Sequence, residues 1–375
     1  MHQIVIIGSG FAALTAIKTL RKQGCRDSIT LISPSPILFY YPSLIWVPAG
    51  LRNEQDLTIN LEKFLQRHEV KYHPGNVIGL DTQQRQVKTD NGLCAFDSLI
   101  IAAGARFLKK IPGIEQISIP CEGYKPVKAY SDRLAALEKG TLAFGFGANP
   151  KEPGAMRGGA LFEFLFGVET LLKRQKRRAQ FELVFFSPAA QPGKRLGEKA
   201  VELLMAYMAK LNIKTHLGHK ITGFDGNTIQ TEGGEIHSDL TLFMPGITGP
   251  TWLSDSDLPL SEGGLIQADA HCRVPGMTGI YVAGDCGSFP GPEWMPKQAH
   301  LADLQAETAA KNLIAEQAGQ PIKHTFKVEL ICIIDSLNKG MLVYRSPKRN
   351  IITPNSKIFH WAKAAFERHY LRGYR

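Results

Sequence analysis

Runs of consecutive apolar residues, each closed by glycine or proline, alternate along this chain with longer stretches of helical period. Ile4-Val-Ile-Ile7 reads as a strand buried on both faces. Gly8 and Gly10 follow as a tight turn, and the run from Ala12 to Gln23, stopped by Gly24, reads as a helix. Ser28-Ile-Thr-Leu-Ile32 is the next strand. Residues 37–50 are too aromatic and too broken by proline for a plain helix. A helix is predicted over 55–67, a small sheet over 70–72, 76–81 and 85–89, and another buried strand over 98–104.

The pattern then repeats. Residues 141–147 form a strand and turn, 157–172 a helix with a long apolar face, and 181–187 a strand. Both halves end in Ser-Pro, at Ser33-Pro34 and Ser187-Pro188, as copies of one unit would. Residues 240–246 and 279–285 read as strands that return to the first unit, and a helix is predicted over 298–315. On a last helix over 356–371, Ile358, Trp361, Ala362, Ala365, Phe366 and Tyr370 share one face. Lys357, Lys363, Glu367 and Arg368 lie away from it.

The first turn carries the clearest chemistry. A strand, then Gly8, Gly10 and Ala13, then a helix is the pattern of a dinucleotide site. Gly8 and Gly10 make the turn, and Ala13 lets the helix press on the strand. The helix N-terminus offers unpaired N–H groups and partial positive charge to a pyrophosphate. Ser33 stands where a carboxylate would bind an adenosine ribose, which disfavours a nicotinamide cofactor more than a flavin. The second unit has the fold for a nucleotide but poor chemistry for it, since its turn is stretched over 147–158 with two prolines and Ser187 again replaces the acid. Ala103-Gly104 and Gly284-Asp285 end strands close to the cofactor edge, and Asp285 is suited to accept from a ribityl hydroxyl. Lys297 opens a helix and is suited to hold a reduced, anionic flavin. The fold class that follows is α/β, with two Rossmann-like (FAD/NAD(P)-binding) domains and a C-terminal amphipathic helical tail. The FAD-binding domain is expected over 1–110 and 240–325, the second domain over 111–239 and the tail over 326–375.

Composition narrows the picture at two points. The net charge is +10, and eight basic residues against Glu367 between Met341 and Arg375 place +7 of it in the tail. A charge so concentrated beside an apolar stripe points to a membrane surface and away from nucleic acid. The 6 cysteines are scattered without a CxxC, so neither a metal site nor a disulfide framework is expected. The first strand begins at once, with no basic segment or cleavage site ahead of it, and no run approaches a membrane span. The expected location is cytoplasmic, peripheral on the inner face of the plasma membrane.

With these pieces assembled, the chain resembles sulfide:quinone oxidoreductase and the superfamily it shares with type II NADH dehydrogenase and the flavin subunit of flavocytochrome c sulfide dehydrogenase. The likeness rests on residues 30–33, Phe39–Gly50 with its Trp46-Val-Pro-Ala-Gly, Ala103-Gly104, Gly284-Asp285, Pro296-Lys297, Cys332–Asp335 and 358–367. It implies bound FAD, a docking tail and a quinone pocket between the tail and the Phe39–Trp46 stretch, with Phe39, Tyr41, Trp46 and Phe359 as its lining. It also implies a pair of redox cysteines. Cys332 matches one by context, but Met156 or Arg157 stands at the other position. Cys332, Lys297 and Arg157 are the catalytic candidates, with Arg157 suited to stabilise a thiolate or an anionic sulfur substrate by charge. The reading is an oxidoreductase passing two electrons from a small sulfur or thiol donor to quinone, with a second copy of the chain, as a homo-oligomer, among its candidate partners. An NADH:quinone oxidoreductase of the same fold and a non-catalytic FAD-binding sensor stay open.

Overall fold

The computed structural model describes residues 2–375. Two parallel sheets carry the two units. The first runs in the order Ile280–Val282, Ser98–Ile101, Gln3–Ile7, Ser28–Ser33, Val70–Pro74. All its strands but the edge strand Val70–Pro74 carry apolar residues buried on both faces, because helices and loops cover both sides, as parallel sheets require. Helices Phe11–Lys22 and Ala299–Gln317 lie together against it. Ala12, Ala13, Ala16, Ala302, Ala306, Ala309 and Ala310 are all buried there. Small side chains let the two helices approach each other closely.

The second sheet runs in the order Ile213–Leu217, Phe181–Ser187, Gly140–Phe146, Leu240–Met244. Its covering helix, Gly159–Arg174, buries Phe162, Phe164 and Phe166 in a core shared with Phe144, Phe146 and Phe185.

Three local expectations need correction. Residues 55–67 are not one helix: Glu54–Leu57 and Glu62–Arg67 are helical, and Thr58–Asn60 between them pairs with Ile37–Phe39. Thr58 and Ile59 are β-branched, and tertiary pairing outweighs helical periodicity. Val70–Pro74 leaves the small antiparallel sheet and joins the first parallel one beside Ser28–Ser33. Leu240–Met244 does not return to the first unit but closes the second sheet against Gly140–Phe146. An all-apolar strand carries no mark of which sheet it joins.

The tail is a three-stranded antiparallel sheet, Leu330–Asp335, Gly340–Ser346 and Arg349–Ile352, followed by helix Lys357–Arg372. Gly340 exchanges backbone bonds with Ser356, and a Cβ there would press on Phe359. The glycine thus lets the helix start directly over the hairpin. This helix is turned inside out. Ile358, Trp361 and Phe366 are 69%, 68% and 59% exposed, while Glu367 is buried and His360 and Lys363 face the body. Tyr370, expected on the outer stripe, instead turns inward and donates to Asp303 at 3.1 Å. Among the described residues no helix is long and apolar enough to cross a membrane.

Candidate active site

The first glycine turn lies at the carboxyl end of the first sheet, where open parallel sheets bind ligands. Gly8 has φ +106° and donates to Ile32 O at 2.8 Å, and a Cβ on it would strike the Ala102 carbonyl. At Gly10, by contrast, a Cβ would meet nothing within 4 Å. Helix Phe11–Lys22 has no side-chain cap and no acidic residue in its first turn, so its N–H groups stay available to an anion. Gly104 and Gly284 stand at neighbouring strand ends with φ of +69° and +81°. Ser33 is buried, with its hydroxyl donating to Ser35 O at 2.8 Å. The open space at Gly10, the uncapped helix and the row of strand-end glycines fit a flavin adenine dinucleotide. Bound there, FAD supplies a two-electron relay. Gly8, Gly10 and Ala13 would hold its phosphates, with Ala103, Gly104, Gly284 and Lys297 along its length.

Asp285 is not free at its strand end. Arg157 reaches over from the second unit, donates through Nε to Asp285 Oδ2 at 2.9 Å and closes the ion pair through Nη2. Lys297 carries no carboxylate of its own. It donates to the carbonyls of Asp285 (3.3 Å) and Gly287, and burial pulls its pKa down. Two cations and one carboxylate therefore meet where the units face each other.

The cysteines divide differently from expectation. Burial pushes the Cys332 thiol up to about 12; Glu163 raises it further and Lys363 opposes the rise. Arg157 has no part in that balance. The thiol it favours is Cys121, which burial lifts to about 11 while Arg157 pulls it down. Tyr41 stands by the same pair: burial raises its phenol, and Arg157 lowers it. In the sequence Cys121 precedes the helix at Arg157 but does not sit in the context that matches the second redox cysteine.

Of the four aromatic candidates, Phe39 and Tyr41 pack edge to face at 4.8 Å and line a cavity of about 660 Å³ with Glu54, Glu122, Tyr124 and Lys125. Trp46 is buried, and its indole N–H donates to Asp335 Oδ1 at 3.1 Å. Phe359 sits over Gly340.

A charged cluster under the tail helix escaped the sequence. Asp335 N donates to Glu163 Oε1 at 2.9 Å, Lys363 is ion-paired with Glu163, and His360 Nδ1 lies 2.6 Å from Asp335 Oδ2. The only signal available was the spacing of His360, Lys363 and Glu367 along one helix face, which reads as a solvated face. Burial pushes the Glu163 carboxyl up to about 7, against the pull of Lys363 and the Asp335 N–H. A folded-state value above the ordinary carboxylate range means stability is full at low pH and falls as pH rises toward 7. Lys363→Met leaves Glu163 buried without its partner. Urea unfolding at pH 8 should show a loss of about 3–5 kcal/mol. At pH 5, where Glu163 keeps its proton, the loss should be much smaller.

These features define a two-domain flavoprotein oxidoreductase with FAD as its cofactor. The sequence profile of the pyridine nucleotide-disulphide oxidoreductases matches residues 2–141 and 165–306, and the chain belongs to that family. The unmatched interval, 142–164, holds the stretched second turn. The sulfide-quinone reductase of Aquifex aeolicus is 23% identical over 394 residues, covering 98% of this chain and 90% of that protein. The X-ray structure of sulfide:quinone oxidoreductase from the same bacterium superposes with a TM-score of 0.91 at 21% identity, over 100% of this chain and 92% of that one. A type II NADH:quinone oxidoreductase of Mycobacterium tuberculosis is 27% identical over 356 residues, covering 85% of this chain and 73% of that protein. The NDH2 structure from Plasmodium falciparum gives a TM-score of 0.75 at 14% identity, over 97% of this chain and 94% of that one. At these identities the solved structures show a shared fold.

Proposed function

We propose that the protein works at a membrane surface, taking two electrons from a small sulfur or thiol donor and passing them through FAD to a quinone. The observation that carries the choice of donor is the packing of the second glycine turn. Asn149, almost wholly buried, donates to Ile247 O at 3.0 Å and Gly263 O at 2.9 Å. Glu152 accepts from Ser261 and from Ser288, the latter at 2.8 Å. A Cβ on Gly246 would strike the backbone of Ala148 and Asn149, and one on Gly263 would strike Glu152. The loop is thus seated between the units, with the amides of Asn149, Lys151, Glu152, Ala155 and Met156 already bonded within it, and Ser187 offers no ribose carboxylate. Support for quinone comes from the names of both groups of relatives and from the outward apolar face of the tail helix. The Phe39–Tyr41 cavity belongs to the quinone pocket that this reading assigns between the tail and the Phe39–Trp46 stretch.

Anaerobic titration of the purified holoprotein tests the proposal. Sulfide or a low-molecular-weight thiol should bleach the flavin quickly, NADH only slowly, and a short-chain ubiquinone should restore the colour. Rapid, saturable bleaching by micromolar NADH would transfer the assignment to the NADH:quinone reading. Cys332→Ala, with FAD content unchanged, should lose donor-driven bleaching while quinone still reoxidises dithionite-reduced flavin. If every active donor reduces the variant at the wild-type rate, Cys332 is packing.

A further inference from the structure

We infer that His360 hands a proton to the acceptor as it is reduced, and that Asp335 is the residue that positions it. The inference rests on the quinone reading above. The geometry is that of a fixed imidazole. Asp335 has no exposed side-chain surface and is an acceptor on both oxygens. Oδ1 takes N–H bonds from Trp46 (3.1 Å) and Leu337 (2.8 Å), and Oδ2 takes His360 Nδ1 at 2.6 Å. That assigns Nδ1 as the donor toward Asp335 and leaves Nε2 as the atom that gains or loses a proton. Among the described residues Nε2 has no partner in the chain, and the His360 side chain is 18% exposed. The Trp46 ring stands edge-on to the imidazole, 6.0 Å between ring centres.

The surroundings hold charge for such a step. Glu163 joins Asp335 through the Asp335 N–H and is ion-paired with Lys363, one turn along from His360. Arg52, paired with Glu367, covers the Trp46 ring at 4.7 Å. Arg174 donates to Leu337 O at 3.2 Å beside the dyad, and with it these charged groups come from helix Gly159–Arg174, from the loop after the 3₁₀ turn Tyr41–Trp46 and from the tail helix itself. The fixed histidine thus lies between the body and the outward-facing helix, where an acceptor arriving from a membrane would be met.

Reduction of a quinone to a quinol takes up two electrons and two protons. The donor is oxidised and supplies the electron pair, which FAD, when bound, would relay together with one proton. The second proton leaves His360 Nε2 for a quinone oxygen, and neutral His360 recovers a proton from water at its exposed edge. Asp335 holds the ring in register throughout.

Stopped-flow reoxidation of dithionite-reduced holoprotein by a short-chain ubiquinone, measured across pH 5–9, tests the assignment. His360→Gln should slow reoxidation on the order of 100-fold, the usual scale for a lost general acid, and flatten the pH profile. FAD content and donor-driven bleaching should stay as in wild type. His360→Ala should recover rate with added imidazole, which separates a proton role from a packing role. Asp335→Asn should shift the pH profile without flattening it. If wild type reoxidises and His360→Gln keeps both its rate and its pH profile, the role of His360 is overturned and the quinone reading stands. If quinone fails to reoxidise wild type at all, that reading falls and the inference falls with it.

Discussion

Gly8→Ala should purify without flavin colour. The residue has φ +106°, a conformation that costs a non-glycine residue about 1–3 kcal/mol. Its new Cβ would also meet the Ala102 carbonyl, which is backbone and cannot rotate aside. Ala102 is tied to Ile7 by an N–H···O bond of 2.9 Å, and Gly8 itself is tied to Ile32. Relief therefore has to come from moving a strand end, and the one that moves carries Ala103 and Gly104. The substitution thus damages two parts of the proposed cradle together. Gly10→Ala is the matched control. A Cβ there meets nothing in the chain, so the fold should keep its thermal midpoint, while the added methyl stands where a phosphate would approach. The ratio of flavin to protein absorbance, read beside the thermal midpoint, checks both. Full flavin content and an unchanged midpoint in Gly8→Ala would remove this turn from the cofactor site.

Changing Ile358, Trp361 and Phe366 together to serine should release the protein from anionic liposomes while leaving it folded and yellow. The three side chains are the most exposed large apolar groups on the tail helix, and they do not hold it to the body. The helix is held instead by Lys363 on Glu163, His360 on Asp335 and Glu367 on Arg52, with Leu371 and Tyr374 buried. Exposed Lys357, Arg368, Arg372 and Arg375 flank the apolar face and suit an anionic headgroup layer. At about 1.5 kcal/mol for each side chain lifted out of the bilayer, partitioning should fall on the order of 1,000-fold. Liposome flotation at two salt concentrations measures it. Undiminished binding by the triple variant would mean that this face is not the membrane contact. Deleting residues 345–375 is the poorer experiment, because it would also remove Glu367, Leu371 and Tyr374 from the interior and break the tail sheet at Arg345.

Much of the first unit was legible because its signals are local. Ile4–Ile7 is apolar on both faces, Gly8 supplies a backbone state other residues resist, and Gly24 stops the helix. Each is decided by covalent geometry and burial within a few residues. The stretched second turn was legible as a poor phosphate cradle for the same reason. What occupies its place was not, since Asn149 and Glu152 find Gly263, Ser261 and Ser288 more than a hundred residues away.

The tail marks the division most sharply. By itself the sequence determined that a helix with one apolar and one charged face closes the described chain, and that its charge is basic. A helical period fixes which residues share a face but not which face meets the protein. The tertiary structure decided that. Buried Glu163 and Asp335 require hydrogen-bond partners, and the tail helix delivers Lys363 and His360 to them, so the charged face turns in and the apolar face turns out. The sequence likewise determined that Cys332 and Arg157 sit in suggestive contexts. Only the packing of the two units decided their partners: Arg157 pairs with Asp285 and lies by Cys121, while Cys332 lies by Glu163 and Lys363. Electrostatic partners are chosen by distance through space, and that distance is set by how the sheets and helices pack.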